Sequence, residues 1–336
     1  MSSSLNKKDA LKFGNTFCPL LFMHCHIDMK KETKVCCHSE EKIGNTLDFN
    51  SQEYKILRNN ILNGEKINNC QVCYDLENIK QTSFRQKTII NLKEYNDLID
   101  EQINRHKNNQ ELKPYWYDLR ISNNCNLECI MCNHEASSSI AKSMGINNSH
   151  LSNEIDIDIN PQSIKIYLAG GEPFLIKKFT ELLSKIENSD CEIIINTNAT
   201  TITRSMVNVL KKFNNVSLTV SLEGYGELNE KIRKNSKWEI IDKNIDKFIK
   251  LGYYLHVTTV LQKDNINNLY ELGTYIESKN IKYWTIDEVQ FNEELDWRYQ
   301  KIDKESINKL LTLKIVKNNI HSMALLQNVL KHAKES

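Results

Sequence analysis

Cysteine is the residue type with the most chemistry to offer in this chain. Ten are present, at 18, 25, 36, 37, 70, 73, 125, 129, 132 and 191, in tight groups separated by long cysteine-free stretches. In a reducing compartment such grouping points to metal ligation or redox chemistry before disulfides. The tightest group is Cys125, Cys129 and Cys132, spaced C-x3-C-x2-C directly after the strand-like run YDLRIS. Three thiolates on one short loop can hold three corners of a cubane iron–sulfur core and leave one iron without a protein ligand. That open position is what a reactive metal centre needs and what a closed structural site lacks. The plainer alternative is a zinc site completed by His134.

A second set lies nearer the N-terminus: Cys18, the pair Cys36 and Cys37, and Cys70-x2-Cys73. Four thiolates drawn from Cys18, Cys36, Cys70 and Cys73 would complete a second cluster with no open position, and Cys37 stays an alternative to Cys36. Tetrahedral zinc suits the same set, and His24, His26 and His38 nearby keep a Cys/His zinc site open. Cys25 is an extra thiol without a role, and Cys191 reads as a buried apolar residue.

The elements that must position these groups change character near residue 110. Upstream, Cys and His crowd irregular segments around a short amphipathic helix over 53–64 and a polar helix over 89–109. From residue 116 apolar, β-branched runs recur at 117–122, 163–170, 192–199, 216–224, 254–262 and 282–289, with helical patterns between most of them. Strands alternating with helices imply parallel βαβ units. Six strands fall short of a closed eight-stranded barrel, so a six-unit partial TIM barrel or an open doubly wound sheet is expected, with chemistry at the C-terminal strand ends. The chain after residue 304 reads as one or two terminal helices. The expected organisation is a cysteine-rich N-terminal domain over 1–110, an α/β core over 111–300 and a helical extension over 301–336.

The strand ends carry the corroboration. The second ends in LAGGEP with Gly170, Gly171 and Glu172, the third in NTNAT with Asn198, and the fourth in SLEG with Ser221 and Glu223; Arg233 follows ten residues on. Gly170 and Gly171 let backbone approach a ligand, and Glu172 can accept from an ammonium. Together with the C-x3-C-x2-C loop, these stretches resemble the radical S-adenosylmethionine (SAM) superfamily over about residues 115–290. Ala199 stands where that family usually has Gly. The resemblance implies a SAM-binding 4Fe-4S cluster on Cys125, Cys129 and Cys132, with the open iron chelating the SAM amino and carboxylate groups. It places Met131 against adenine, the GGEP turn at the SAM amino group, Ser221 and Glu223 near the ribose and amino-acid end, and Arg233 at the carboxylate. The N-terminal pattern, CP…CC…R…L..GE…C-x2-C…E…S-x-R, resembles the twitch or SPASM auxiliary-cluster modules, here ahead of the barrel and opening CPLLF where that subgroup has CPLPW.

The implied activity is reductive cleavage of SAM to a 5'-deoxyadenosyl radical that abstracts a substrate hydrogen. A peptide or protein is the expected substrate, with a sugar, nucleoside or other small metabolite as the alternative. A non-catalytic iron–sulfur carrier or zinc-bound interaction module is the reading from a different class. An electron donor such as flavodoxin or ferredoxin is the implied partner, and no catalytic side chain is assigned. The 44 Lys+Arg against 43 Asp+Glu leave a net charge of +1, which removes the electrostatic argument for nucleic acid or a membrane surface. No apolar run reaches the ~18 residues of a membrane span. The first ten residues are polar with no apolar leader, so a cytoplasmic location is expected. With 40% hydrophobic and 26% charged residues, the composition is that of a folded globular chain.

Overall fold

The computed structural model describes residues 14–44, 48–148, 151, 156–289 and 292–335, and the polar stretch 1–10 lies outside them. The strands are β1 (His24–Ile27), β2 (Thr33–Lys34), β3 (Lys42–Gly44), β4 (Trp116–Leu119), β5 (Glu128–Cys129), β6 (Lys165–Leu168), β7 (Glu192–Thr197), β8 (Asn215–Ser221), β9 (Arg233–Lys234), β10 (Tyr254–Leu261) and β11 (Tyr283–Glu288). All six apolar runs are strands, namely β4, β6, β7, β8, β10 and β11, so the expected α/β class with alternating helices and a helical C-terminus is the one adopted. The chain divides into two compact units: residues 1–121, 154–167 and 185–191, and residues 122–153, 168–184 and 192–336.

In the first unit the strand order is β6-β4-β1-β2-β3. β1 runs parallel to β4, with His24 opposite Trp116 and Ile27 opposite Leu119, while β2 and β3 are antiparallel additions. The N-terminal segment therefore contributes strands to a sheet, where the sequence suggested irregular chain. HCHI is four residues long and mixes His with Cys and Ile, so it offers no apolar alternation to read. Cys25, Ile27, Tyr117, Leu119 and Ile166 share a buried face. The helix Gln52–Leu62 forms as expected, with Ser51 Oγ accepting from the backbone of Tyr54 at its start. The polar helix expected over 89–109 is three pieces instead: Phe84–Asn91, a 3-10 turn Lys93–Tyr95, and Asn96–Lys107. Only Asn91 and Asn96, weak helix formers, mark the breaks in the sequence.

In the second unit β7, β8, β10 and β11 lie side by side in that order, all parallel. Period-2 alternation sends Ile193, Ile195, Leu218, Val220, Val257, Leu261, Trp284 and Ile286 to a buried face. The opposite face is half-buried and polar at Asn196, Thr219, Ser221, His256, Thr258 and Thr285. Parallel strands enclosed on both sides read as continuous apolar runs, so a polar second face marks a surface that looks into a site rather than into a core. A two-stranded ribbon pairs β5 with β9, setting Cys129 opposite Arg233. Three terminal helices, Lys304–Thr312, Lys314–Lys317 and Ile320–Glu335, replace the one or two expected. Asn319 and Ser322 account for part of this: Ser322 Oγ accepts from Ile286 N at 2.9 Å and Asn319 Nδ2 donates to Trp284 O at 2.8 Å, satisfying the outer edge of β11 with side chains. Among the described residues no helix is long and apolar enough to cross a membrane.

Candidate functional site

All ten cysteines are free thiols. Cys125 and Cys129 are half-buried and Cys132 is exposed. Their loop is fastened from two sides. Cys125 N donates to Ser138 Oγ at 3.1 Å, and Ser137 Oγ donates to Leu127 O at 2.7 Å. From the other side Gly171 N donates to Ser122 O at 2.9 Å and Glu172 N to Asn124 O at 2.7 Å. The fit is close enough that a Cβ on Gly171 would stand 2.3 Å from Asn124 O. Gly170 has φ +112°, a conformation open to glycine. The GGEP turn is thus the backing of the cysteine loop. Burial pushes Cys125 up to about 11, offset by the Leu127 N–H and reinforced by Glu172, Cys129 and Cys132. Burial also raises Cys132, with Cys129 adding to it. Thiols that raise one another in this way stand close enough to interact.

The strand ends meet the same loop. Asn198 Nδ2 donates to Asn126 Oδ1 at 3.1 Å and lies 4.0 Å from Cys125 Sγ. Arg233 Nη1 is 3.8 Å from Cys129 Sγ, and Nη2 pairs with Glu223 Oε1 at 2.7 Å. Burial alone would lower the Arg233 pKa, but Cys129 and Glu223 hold it above the usual guanidinium value. Its Nε is buried with no partner among the described residues, a donor left over for an anionic group. Glu223 is buried, and its other oxygen accepts from Val260 N at 2.7 Å. Ser221 Oγ lies 3.4 Å from Asn196 Oδ1, and Met131 is half-buried on the cysteine loop.

Glu172, expected to accept from an ammonium, accepts from three groups of the protein itself. Its Oε1 accepts from Thr197 Oγ1 at 2.8 Å and Phe174 N at 3.1 Å, and its Oε2 from Asn198 N at 2.7 Å. It is fully buried, and burial pushes its pKa up to about 7 against those three donors. The carboxylate therefore ties the second strand end to the third. Asn126, Asn229 and Asn265 escaped the sequence reading. Asn229 Oδ1 accepts from Glu223 N at 2.9 Å and Asn265 Nδ2 donates to Glu223 O at 3.0 Å. In a chain this rich in asparagine, nothing in their spacing sets them apart.

In the first unit, Cys18, Cys36, Cys70 and Cys73 line one small cavity with His38, Asn69, Phe84 and Arg85. Each of the four is buried, at 2, 6, 5 and 6% exposure. Cys37 is exposed and does not line this cavity, and Asp118, Arg120 and Cys73 all act on its thiol. The backbone groups of Leu20, His38 and Arg85 favour the thiolates of Cys18, Cys36 and Cys73. Burial raises Cys36 and Cys73, and a hydrogen bond with Cys70 raises Cys18. Cys25 sits apart on the buried sheet face, its thiol pushed up to about 12 by burial, and Cys191 is fully buried. Arg58, the Arg of the N-terminal pattern, is fully buried and donates to Leu21 O and Phe49 O, both at 2.8 Å. Among the described residues, no three His, Cys, Asp or Glu side chains are grouped as a single metal ion would hold them.

Comparison with known proteins places this geometry. An uncharacterized protein of Methanocaldococcus jannaschii is 30% identical over 179 residues, covering 50% of this chain and 60% of that protein. A probable GTP 3',8-cyclase of the same organism is 26% identical over 214 residues, covering 60% and 70%. The chain thus spans less than two thirds of the length of the first of these relatives. Among solved structures, SuiB of Streptococcus suis bound to S-adenosylmethionine is similar at 17% identity and TM-score 0.44, over 79% of this chain and 64% of that one. The radical SAM superfamily model matches residues 119–276, the stretch that holds the three-cysteine loop, the glycine turn and Arg233. Over residues 119–276 the chain is therefore similar to the radical SAM superfamily.

Proposed function

We propose that this chain is a radical SAM enzyme whose SAM-binding 4Fe-4S cluster is held by Cys125, Cys129 and Cys132, with an auxiliary iron–sulfur cluster on Cys18, Cys36, Cys70 and Cys73. The observation that carries this reading is one loop bearing three mutually opposed thiols, backed by the Gly171 turn and faced by Arg233 with an unpaired buried Nε. A cluster held by Cys125, Cys129 and Cys132 would supply one-electron reductive cleavage of SAM and, from it, hydrogen abstraction from substrate. The chain's own residues bind and orient. Arg233 offers its Nε to the SAM carboxylate while Glu223 holds the guanidinium in place. Met131 offers an apolar contact to adenine, and Ser221 a hydroxyl to the ribose end. Asn198 and Asn126 steady the loop at Cys125. The half-buried polar sheet face of the second unit borders these residues and shields the reaction from bulk water.

The auxiliary reading rests on four buried thiols around one cavity. All four positions being filled by cysteine suits electron handling rather than substrate ligation. We propose a peptide or protein substrate. The polar face of β7, β8, β10 and β11 offers Asn196, Thr219, Thr258, Thr285 and His256 but no Lys or Arg, which suits amide groups better than phosphates. The likeness to a probable GTP 3',8-cyclase favours the second reading, a nucleoside or other small metabolite. A one-electron donor such as flavodoxin or ferredoxin and a cytoplasmic setting go with either.

Anaerobic reconstitution with iron and sulfide, then dithionite and SAM, tests the proposal. The wild-type chain is expected to form 5'-deoxyadenosine, and Cys132→Ala to reduce it to background. A fully iron-loaded wild type that makes none is the carrier of the alternative reading and not an enzyme.

A further inference from the structure

We propose that Arg85 is a positioning residue that fixes Cys18 against Cys73 for an iron–sulfur centre in the first unit; the inference rests on the auxiliary-cluster reading. Cys18 precedes the short helix Leu20–Met23, Cys73 lies in the helix Gln71–Asn78, and Arg85 opens the helix Phe84–Asn91. These three pieces are held together through one side chain. Arg85 Nη1 donates to Phe17 O at 2.8 Å, the carbonyl of the peptide that leads into Cys18. Its Nε donates to Glu77 Oε1 at 3.0 Å, and its Nη2 pairs with the other oxygen of Glu77. Glu77 stands one helical turn beyond Cys73 on the same face. Ser83 Oγ donates to Glu77 Oε1 at 2.5 Å, closing the arrangement at the start of the third helix. Through Phe17 O the guanidinium braces the peptide entering Cys18, and through Glu77 it braces the helix that carries Cys73.

Arg85 is 5% exposed, and a buried guanidinium is costly unless each arm is used. Here the planar fork serves two carboxylate oxygens and a carbonyl at once, a task that a lysine's single ammonium cannot share out in the same geometry. A buried apolar residue would fill the space at less cost. An apolar residue there could not join the peptide entering Cys18 to the helix of Cys73 as this guanidinium does. As a cation near the sulfurs it also favours the more negative, reduced state of a bound centre, and Glu77 opposes it.

The test uses the full chain carrying Cys125→Ala, Cys129→Ala and Cys132→Ala, so that only first-unit iron remains. After anaerobic reconstitution, iron content and the midpoint potential of the remaining centre are measured by EPR-monitored titration. Adding Arg85→Met is expected to lose at least half of that iron, and Arg85→Lys to lose less. Glu77→Gln, which leaves the bond to Phe17 O in place, is expected to keep the iron and move the potential positive. Full iron and an unmoved potential in Arg85→Met overturn the role of Arg85. A parent variant that binds no iron or only zinc overturns the auxiliary cluster itself, and Arg85 with it.

Discussion

A Cβ at position 171 would stand 2.3 Å from Asn124 O and 2.7 Å from Asn123 C, both backbone atoms of the cysteine loop. Backbone on two sides cannot yield as a flexible side chain can, so Gly171→Ala must push the loop that carries Cys125. Iron at the three-cysteine site is expected to fall severalfold in this variant, with the first-unit iron unchanged. Ala199 makes the contrasting case. It sits at φ +57°, where the resembling family uses glycine, and it is fully buried. The left-handed conformation costs about 1 kcal/mol or somewhat more, while the buried methyl returns about 0.8 kcal/mol. Ala199→Gly should therefore stay within about 1 kcal/mol of wild type and keep its iron. Equal iron in both variants would show that the turn at 171 is not what sets the loop. Glycine in GGEP was legible as a close approach, but its neighbour was not: the sequence suggested a ligand, and the structure supplies the protein's own backbone.

Among the elements, the runs that alternate strictly were legible and the short ones were not. EIIINT and VSLTVS each put apolar residues on one face over six residues or more, whereas β1 is four residues of His, Cys and Ile. What β1 contributes is His24, buried beside Trp116 with Nδ1 2.9 Å from Val35 O. Burial lowers its pKa from 6.5 to about 4, with Asp118 pulling the other way. A group lowered on folding favours the fold in its neutral form. Its contribution is complete above the unfolded pKa and is lost as pH falls from about 6.5 toward 4. Between about pH 7 and 5 the loss is about 2 kcal/mol. The comparison is with His24→Phe, which keeps a ring against Trp116 and removes the titration. Chemical denaturation at both pH values should show the wild type losing about 2 kcal/mol more than the variant. Parallel losses would mean that protonated His24 is accommodated in the first unit.

For the molecule as a whole, what matters is that each thiol set lies within one compact unit. Cys125, Cys129 and Cys132 fall in residues 122–153, and Cys18, Cys36, Cys70 and Cys73 all fall in residues 1–121. The sequence made both sets visible because cysteine is rare elsewhere in the chain, while only the structure shows that Cys36 lines the cavity and Cys37 is exposed. With each set inside one unit, loading of one should not require the other. Two cubane clusters correspond to about eight iron atoms per chain. Changing Cys70 and Cys73 together to alanine should leave about four, with the iron signal at the three-cysteine site still altered by added SAM. Changing Cys125, Cys129 and Cys132 should also leave about four, now insensitive to SAM. Cys37→Ala should lose none, because its thiol stands outside the cavity. Iron analysis with EPR in the presence and absence of SAM separates the outcomes. Loss of all iron from either multiple variant would mean that the two centres assemble as one, and loss of half from Cys37→Ala would restore the neighbour of Cys36 as the ligand.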